Sequence, residues 1–143
     1  MVDTNVLIGD LPRSAGRDRL ADERLDLFLP EQMWEETRVE VSRRVAVFAR
    51  RHDLSETSSG ELLASVLDAI AANVVVIDEP VYAAYEVEAR ARSIRDTEDW
   101  PLVACALALD AAVWTHDGDL LGTEVPTWTT ETVQGWLDRH PET

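Results

Sequence analysis

The sequence predicts an α/β protein, arranged as a three-layer α/β/α sandwich with a mostly parallel sheet of about five strands. Short apolar runs rich in β-branched residues alternate along the chain with longer segments of helical periodicity. Runs as apolar as residues 73–78 and 111–115 are typical of strands covered by helices on both faces. A length of 143 residues is ordinary for one domain, so residues 1–143 are predicted to form a single domain.

Proline and helical spacing define the elements of the first half. Residues 1–3 are predicted to end a short first strand, which gives way to an apolar turn at residues 6–8. The charged segment 14–24 is predicted as a solvated helix or loop. Residues 25–30 alternate in polarity and end at a proline, which predicts a strand. Apolar residues at helical spacing, with acids first and arginines last, predict a helix over residues 31–51.

The middle of the chain continues the alternation of helix and strand. Ser55 is a suitable N-cap for a second amphipathic helix. The β-branched run at residues 73–78 predicts a buried strand, and Pro80 opens a helix that extends to about Ile94. The almost wholly apolar segment 102–109 predicts a helix packed on several sides.

Three elements complete the prediction. Residues 111–115 form a buried strand, and residues 125–128 form an edge strand because they contain a proline. Thr129 or Thr130 then caps a last helix that reaches Arg139.

Composition excludes several chemistries. The chain has 28 acidic residues and 13 basic ones, a net charge of −15, and every basic residue is arginine. Without lysine, a Walker phosphate-binding loop, a receiver-type phosphoacceptor site and Schiff-base catalysis are all excluded. The lone Cys105 excludes a disulfide within the chain and a thiolate metal site.

The sequence also predicts where the protein resides. It has no apolar stretch near the roughly 20 residues that a membrane span needs, and it does not begin with a signal-peptide pattern. We therefore expect a cytoplasmic protein with no membrane partner.

Four acidic residues fall where an α/β protein builds its site. Asp3 and Asp117 follow predicted strands, Asp99 precedes the apolar helix, and Glu36 lies about two turns into the helix after Pro30. Because sites in parallel sheets lie at the carboxyl ends of strands, these acids are expected to meet at one edge. Converging carboxylates repel, and a hard divalent cation such as Mg²⁺ removes the conflict. The three histidines lack zinc-ligand spacing.

Four segments, in this order, resemble the motifs of PIN-domain ribonucleases, which include the VapC-like toxin nucleases. Residues 2–7 (VDTNVL) resemble the opening motif, and residues 30–36 (PEQMWEE) resemble the segment that supplies a helical glutamate. Residues 96–108 resemble the family's aspartate and alanine-rich helix. Residues 114–121 (WTHDGDLL) resemble its terminal Thr-x-Asp-x-Asp element.

The resemblance implies a Mg²⁺- or Mn²⁺-dependent ribonuclease and assigns roles to residues of this sequence. The matched catalytic acids are Asp3, Glu36, Asp99 and Asp117. The matched metal ligands are Asp3, Asp99, Asp117 and Asp119. The matched supporting polar residues are Thr4, Asn5 and Thr115. Glu35 competes with Glu36, because the distance from Pro30 is the only guide and neighbouring helical residues differ by about 100° in direction.

The resemblance also implies partners. The expected substrate is single-stranded RNA, and the expected protein partners are an antitoxin and a second copy of the chain. Two alternatives stay open: a PIN-like module that binds metal or RNA without cutting it, and an unrelated acidic protein whose acids are scattered surface charge. No residue is assigned to RNA binding.

Arginine clusters have two interpretations. Five arginines lie on the helix over residues 31–51, and three more lie in residues 90–95. They either form a positive rim around an acidic pocket or pair with neighbouring glutamates along exposed helix faces.

Overall fold

Helices dominate the computed structural model, which describes residues 1–142. The described residues contain eight α-helices: α1 (Thr4–Asp10), α2 (Ser14–Leu20), α3 (Glu31–Arg51), α4 (Glu56–Asn73), α5 (Glu79–Tyr82), α6 (Glu86–Arg92), α7 (Trp100–Leu109) and α8 (Thr130–Arg139). Short 3₁₀ turns lie at Ala83–Tyr85, Thr97–Asp99 and Gly118–Leu120. The four strands are β1 (Leu27–Pro30), β2 (Val74–Ile77), β3 (Val113–Trp114) and β4 (Thr127–Trp128). This mixed α/β architecture confirms the predicted class.

Local sequence accounts for where the long helices begin. Helix α3 starts directly after Pro30, with Glu31 in its first turn and arginines in its last, which complements the helix dipole. The Ser55 hydroxyl accepts a hydrogen bond from the Ser58 N–H at 3.1 Å and caps α4 as predicted. Thr129 caps α8 in a reciprocal arrangement with Thr132.

The strands form two parallel pairs. β1 pairs with β2, and β3 pairs with β4. Residues 1–3 lie between the pairs: the Val2 N–H donates to the Phe28 carbonyl at 2.9 Å, and the Asp3 N–H donates to the Trp114 carbonyl at 2.9 Å. Asp3 therefore lies at the centre of the strand arrangement, where both pairs end.

The predicted sheet of about five strands is not formed as such within residues 1–142. Residues 1–3 contribute only an isolated bridge, Val2 to Trp114, because Asp3 already serves as the N-cap of α1. β3 and β4 have two residues each. The turns and helices that follow the strands therefore begin before long ladders can develop.

Three other elements differ from their predictions. Residues 6–8, predicted as a turn, lie inside α1. The predicted helix 80–94 is interrupted after Tyr82, whose side chain is fully buried and whose hydroxyl accepts a hydrogen bond from the Gln32 N–H at 3.3 Å. β2, predicted as a buried strand, is an edge strand, because it pairs with β1 on one side only within the described residues. Its residue Val75 is 56% exposed.

Two apolar clusters lie on opposite faces of the strands. Leu27, Leu29 and Trp114 belong to the cluster formed with α1 to α4 and α8, whereas Phe28 and Val113 contact the cluster formed with α5 to α7. Successive strand residues point to opposite faces, so helices cover the strands on both sides. This arrangement agrees with the predicted three layers.

A helix that spans a lipid bilayer needs about 20 predominantly apolar residues. Within residues 1–142, no helix combines the length and the apolar character needed to span a membrane.

Candidate functional site

The candidate site forms around Asp3, which follows the central strand segment and caps α1. Its side chain is 6% exposed, although it carries a carboxylate. A buried carboxylate requires hydrogen-bond donors, because losing water around a charged group is costly. The donors come from Asn5 and Thr115.

Thr115 and Asn5 fix the orientation of the Asp3 side chain. The Thr115 hydroxyl donates to Asp3 Oδ2 at 2.7 Å, and Asn5 Nδ2 donates to the same oxygen at 2.9 Å. The Asn5 amide has one consistent orientation, since its Oδ1 accepts from the His116 N–H at 3.1 Å. Helix α1 and the end of β3 are thereby joined through one carboxylate.

The same hydroxyl positions the next acid. The Asp117 N–H donates to Thr115 Oγ1 at 2.9 Å, so Thr115 bonds both Asp3 and the backbone of Asp117. Asp117 Oδ1 in turn accepts from the Asp119 N–H at 2.8 Å and begins the 3₁₀ turn Gly118–Leu120. This Asx-type turn holds the Asp117 and Asp119 side chains on one short loop.

Asp99 brings a further carboxylate to this region from the start of α7. Its pKa is raised to about 7, chiefly by burial and then, in decreasing order, by the charges of Asp3, Asp96, Asp117 and Asp119. The effect shows that four other carboxylates lie close enough to act on Asp99 electrostatically. The acids from three separate segments therefore converge.

The acid cluster is poorly compensated by cations. Burial raises the pKa of Asp3, and its hydrogen bond from Thr115 works in the opposite direction. Within residues 1–142, the one ion pair at the cluster joins Arg95 to Asp119 at 3.6 Å. Asp3, Asp99 and Asp117 have no ion-pair partner in that range. Converging acids without cations form a donor set suited to a hard divalent ion.

Glu36 lies apart from the converging aspartates. Its side chain is exposed and is not among the charges that act on Asp99. Its neighbour Thr37 is fully buried and shares a 2.6 Å hydrogen bond with Thr4, which follows Asp3 in the chain. Glu35 instead forms an exposed ion pair with Arg38 at 2.9 Å.

Two residues near the site were not singled out from the sequence. Asp96 acts on the pKa of Asp99 more strongly than Asp117 does, and its Oδ1 accepts from the Glu98 N–H at 3.0 Å. Its place in the run DTED, three residues before Asp99, was a usable signal. Thr37 connects α3 to α1 through Thr4, and a polar residue on the apolar face of α3 was the corresponding signal. The Thr4 hydroxyl thus supports the helix contact.

The converging aspartate side chains have the donor chemistry of a metal site. The donor chemistry fits Mg²⁺ or Mn²⁺, because every converging side chain is a carboxylate. In the arrangement seen for residues 1–142, no three Asp, Glu, His or Cys side chains are close enough to share one ion. Three of these carboxylates could therefore share one ion only after their side chains had moved closer together.

Comparison with known proteins identifies the architecture. A family model described as PIN domain matches residues 1–138, which include every acid of the cluster. Among curated proteins, none matches the chain.

Proposed function

Because this chain belongs to the PIN domain family, we propose that it is a Mg²⁺- or Mn²⁺-dependent endoribonuclease that hydrolyses phosphodiester bonds of single-stranded RNA. The observation that carries the proposal is the convergence of Asp3, Asp99, Asp117 and Asp119, with the pKa of Asp99 raised to about 7. A cluster that resists full ionisation without a cation is a strong binding site for one.

In the proposed site, Asp3, Asp99 and Asp117 hold the metal, and Asp119 supports them. A bound divalent ion lowers the pKa of coordinated water and neutralises charge on the phosphate oxygens. Asn5 and Thr115 keep the Asp3 carboxylate from turning away, as the bonds to Oδ2 indicate. Thr115 also sets the distance between Asp3 and the Asp117 loop.

Hydrolysis adds one water across the bond between phosphorus and the 3′ oxygen. The water oxygen bonds to phosphorus and leaves a 5′-phosphate, and the departing 3′ oxygen gains a proton and becomes a 3′-hydroxyl. We assign Glu36 to accept the proton lost by the water, a role that requires its exposed side chain to turn toward the aspartates. Its position on α3 allows this, since the next residue, Thr37, bonds Thr4 beside Asp3. No step requires a lysine.

A metal titration of the purified protein tests this function. We expect cleavage of a mixed single-stranded RNA to rise with Mn²⁺ or Mg²⁺, to stop in EDTA, and to leave 5′-phosphate ends. Cleavage that persists in EDTA, or products with cyclic phosphate ends, would contradict the proposal.

One observation favours a second function, a module that binds metal or RNA without cutting it. No three metal-ligating side chains of residues 1–142 are in position to share an ion. Calorimetric titration with Mn²⁺, combined with the RNA cleavage assay, separates the two functions. The silent module binds metal and leaves RNA intact, whereas the nuclease binds metal and cleaves RNA.

We also propose a biological setting, a cytoplasmic toxin that acts as a homodimer and is held inactive by an antitoxin protein. The basis is the family membership. We expect a small adjacent gene that encodes a DNA-binding domain. We also expect light scattering to give the mass of two chains. A monomer in solution with no such neighbouring gene would contradict this setting.

A further inference from the structure

A cavity lined by basic residues lies between α1 and α3, away from the acid cluster. It has a volume of about 270 Å³, and its charged lining consists of Arg13, Arg44, Arg51 and His52. No acidic residue lines it. Three arginines and a histidine in one pocket are unexpected in a chain whose net charge is −15.

The arginines of this basic pocket are not used in ion pairs. Seven of the thirteen arginines have a carboxylate within 4.0 Å in residues 1–142, but Arg13, Arg44 and Arg51 do not. Arg43, the neighbour of Arg44, pairs with Glu40 instead. Ion pairs with nearby glutamates therefore account for Arg38 and Arg43 of α3 but not for the arginines of the pocket.

Helix geometry places the pocket residues on one side of α3. Arg44 and Arg51 are seven residues apart, so they lie on the same face two turns from each other. The ring of His52 packs on Phe48 with centroids 4.2 Å apart, which fixes the ring beside the pocket. Arg13 comes from the separate segment after α1 and donates to the Gly9 carbonyl at 2.8 Å.

Dipole compensation explains only part of this arrangement. Arginines in the last turn of a helix stabilise its negative end, which accounts for Arg50 and Arg51. It does not account for Arg44, about two turns earlier, or for Arg13, which lies outside the helix. A ligand with negative charge accounts for all of the pocket's basic residues together.

The pocket is connected to the acid cluster by two helices. Thr4 at the start of α1 bonds Thr37 of α3, and both helices run from that contact toward the pocket. Arg44 and Arg51 are seven and 14 residues past Thr37 on α3, which corresponds to about 10 and 21 Å from that contact. At about 3.4 Å of rise per stacked nucleotide, these distances are roughly three to six phosphates.

We infer that the basic pocket of Arg13, Arg44, Arg51 and His52 binds a backbone phosphate of the RNA strand, about three to six nucleotides from the phosphate that is cut. The inference rests on the proposed action on RNA. It explains how a chain with 28 acidic residues holds a polyanion: the phosphate contacts are concentrated in one pocket. Arginine suits this task because its planar group can bond two phosphate oxygens at once.

RNA binding without cleavage tests the pocket. The test variant is Arg44→Gln with Arg51→Gln, and the matched control is Arg43→Gln with Arg50→Gln, which changes the charge of the same helix equally. Binding of a labelled single-stranded RNA is measured in EDTA by fluorescence anisotropy over a range of salt concentrations. We expect the test variant to bind about tenfold more weakly, with a salt slope lower by about 0.7, the value for one lost phosphate contact on a single strand. The control should retain the wild-type slope.

Each outcome separates the pocket from the nuclease proposal. Equal RNA affinities of wild type and test variant, or equal losses of RNA affinity in test variant and control, overturn the inference that the pocket binds RNA. Inorganic phosphate that stabilises only proteins with the intact pocket, with unchanged RNA binding, assigns it to a free anion and also overturns the inference. Selective loss of RNA binding in the test variant, in a protein that never cleaves RNA with metal, sustains the pocket and refutes the nuclease.

Discussion

The Thr115 hydroxyl makes the largest number of distinct connections in the acid cluster. It donates to Asp3 Oδ2 and accepts from the Asp117 N–H and, at 3.3 Å, from Asn5 Nδ2. One donor hydrogen and two lone pairs are thus all used. A side chain of the same shape without the hydroxyl would leave a buried carboxylate and a backbone N–H without this partner.

Thr115→Val should therefore lower both stability and activity. We expect a loss of about 1 to 3 kcal/mol in the free energy of unfolding and a 10- to 100-fold loss of metal-dependent cleavage. Chemical denaturation and RNA cleavage measure the two effects. Thr127→Val is the control, because the Thr127 hydroxyl bonds only the Val125 carbonyl. Equal effects of both variants would show that Thr115 has no special role.

The Asp99 carboxyl makes the stability of the folded protein depend on pH. Its pKa of about 7 in the folded protein exceeds its ordinary value of 3.8, so the folded state holds a proton that the unfolded chain releases between these values. The metal-free protein should therefore lose stability as pH rises from about 4 to 7. The Met1 amine, whose pKa burial lowers to about 6, acts in the opposite direction between pH 6 and 8.

Asp99→Asn isolates the Asp99 contribution. We expect the variant to gain stability relative to wild type as pH rises from 5 to 7.5, and we expect Mn²⁺ to remove that difference by stabilising wild type alone. Thermal unfolding at several pH values, with and without metal, provides the measurement. A difference between the two proteins that does not change with pH would contradict the assigned pKa.

The sequence allowed prediction of the aspartates but not of every contact around them. Asp3, Asp117 and Asp119 could be placed because strand ends and a short turn determine their positions locally. Glu36 depends on helix phase and on how α3 packs on α1, which the Thr4 to Thr37 bond determines. Such tertiary contacts between residues 33 positions apart leave no local pattern in the sequence.

At the scale of elements, α1 and α2 make the closest backbone approach that involves a glycine. A side-chain carbon added to Gly16 would lie 2.1 Å from the Asp10 carbonyl oxygen, so only glycine fits there. Asp10 also pairs with Arg19 of α2 at 3.2 Å. The turn between α1 and α2 therefore depends on a single small residue.

Gly16→Ala should separate the two helices. We expect a loss of about 1 to 3 kcal/mol in the free energy of unfolding, because backbone atoms must move. Gly60→Ala in α4 is the control: nothing lies within 4 Å of its added carbon, and alanine favours helix by about 0.5 to 1 kcal/mol. A neutral Gly16→Ala would contradict the close approach.

Element prediction succeeded where signals were local and failed where packing decides. The bounds of α3 follow from Pro30 and the charge pattern, and Ser55 and Thr129 cap the helices expected of them. The helix over residues 6–8 was missed, since α1 has only seven residues and its apolar pattern is shorter than two turns. The break after Tyr82 depends on burial of one side chain.

At the scale of the whole molecule, the fold explains how a strongly acidic chain concentrates its chemistry. The central segment 1–3 joins two strand pairs; Asp3, Asp117 and Asp119 follow short strand segments, and Asp99 lies at the start of α7. The predicted sheet of about five strands is absent from residues 1–142, because each strand gives way to a helix or turn after two to four paired residues. Strand number could not be predicted from apolar runs for this reason.

The converging aspartates are proposed to hold the metal ion that the protein uses to cleave RNA. The most direct test compares Mn²⁺-dependent cleavage of single-stranded RNA by wild type, Asp3→Asn and Asp117→Asn, with circular dichroism to verify folding. Asp68→Asn, which removes an exposed acid on α4, is the control for charge. We predict cleavage at background level in both site variants and wild-type cleavage in the control. Wild-type turnover by a folded Asp3→Asn or Asp117→Asn protein would contradict the claim.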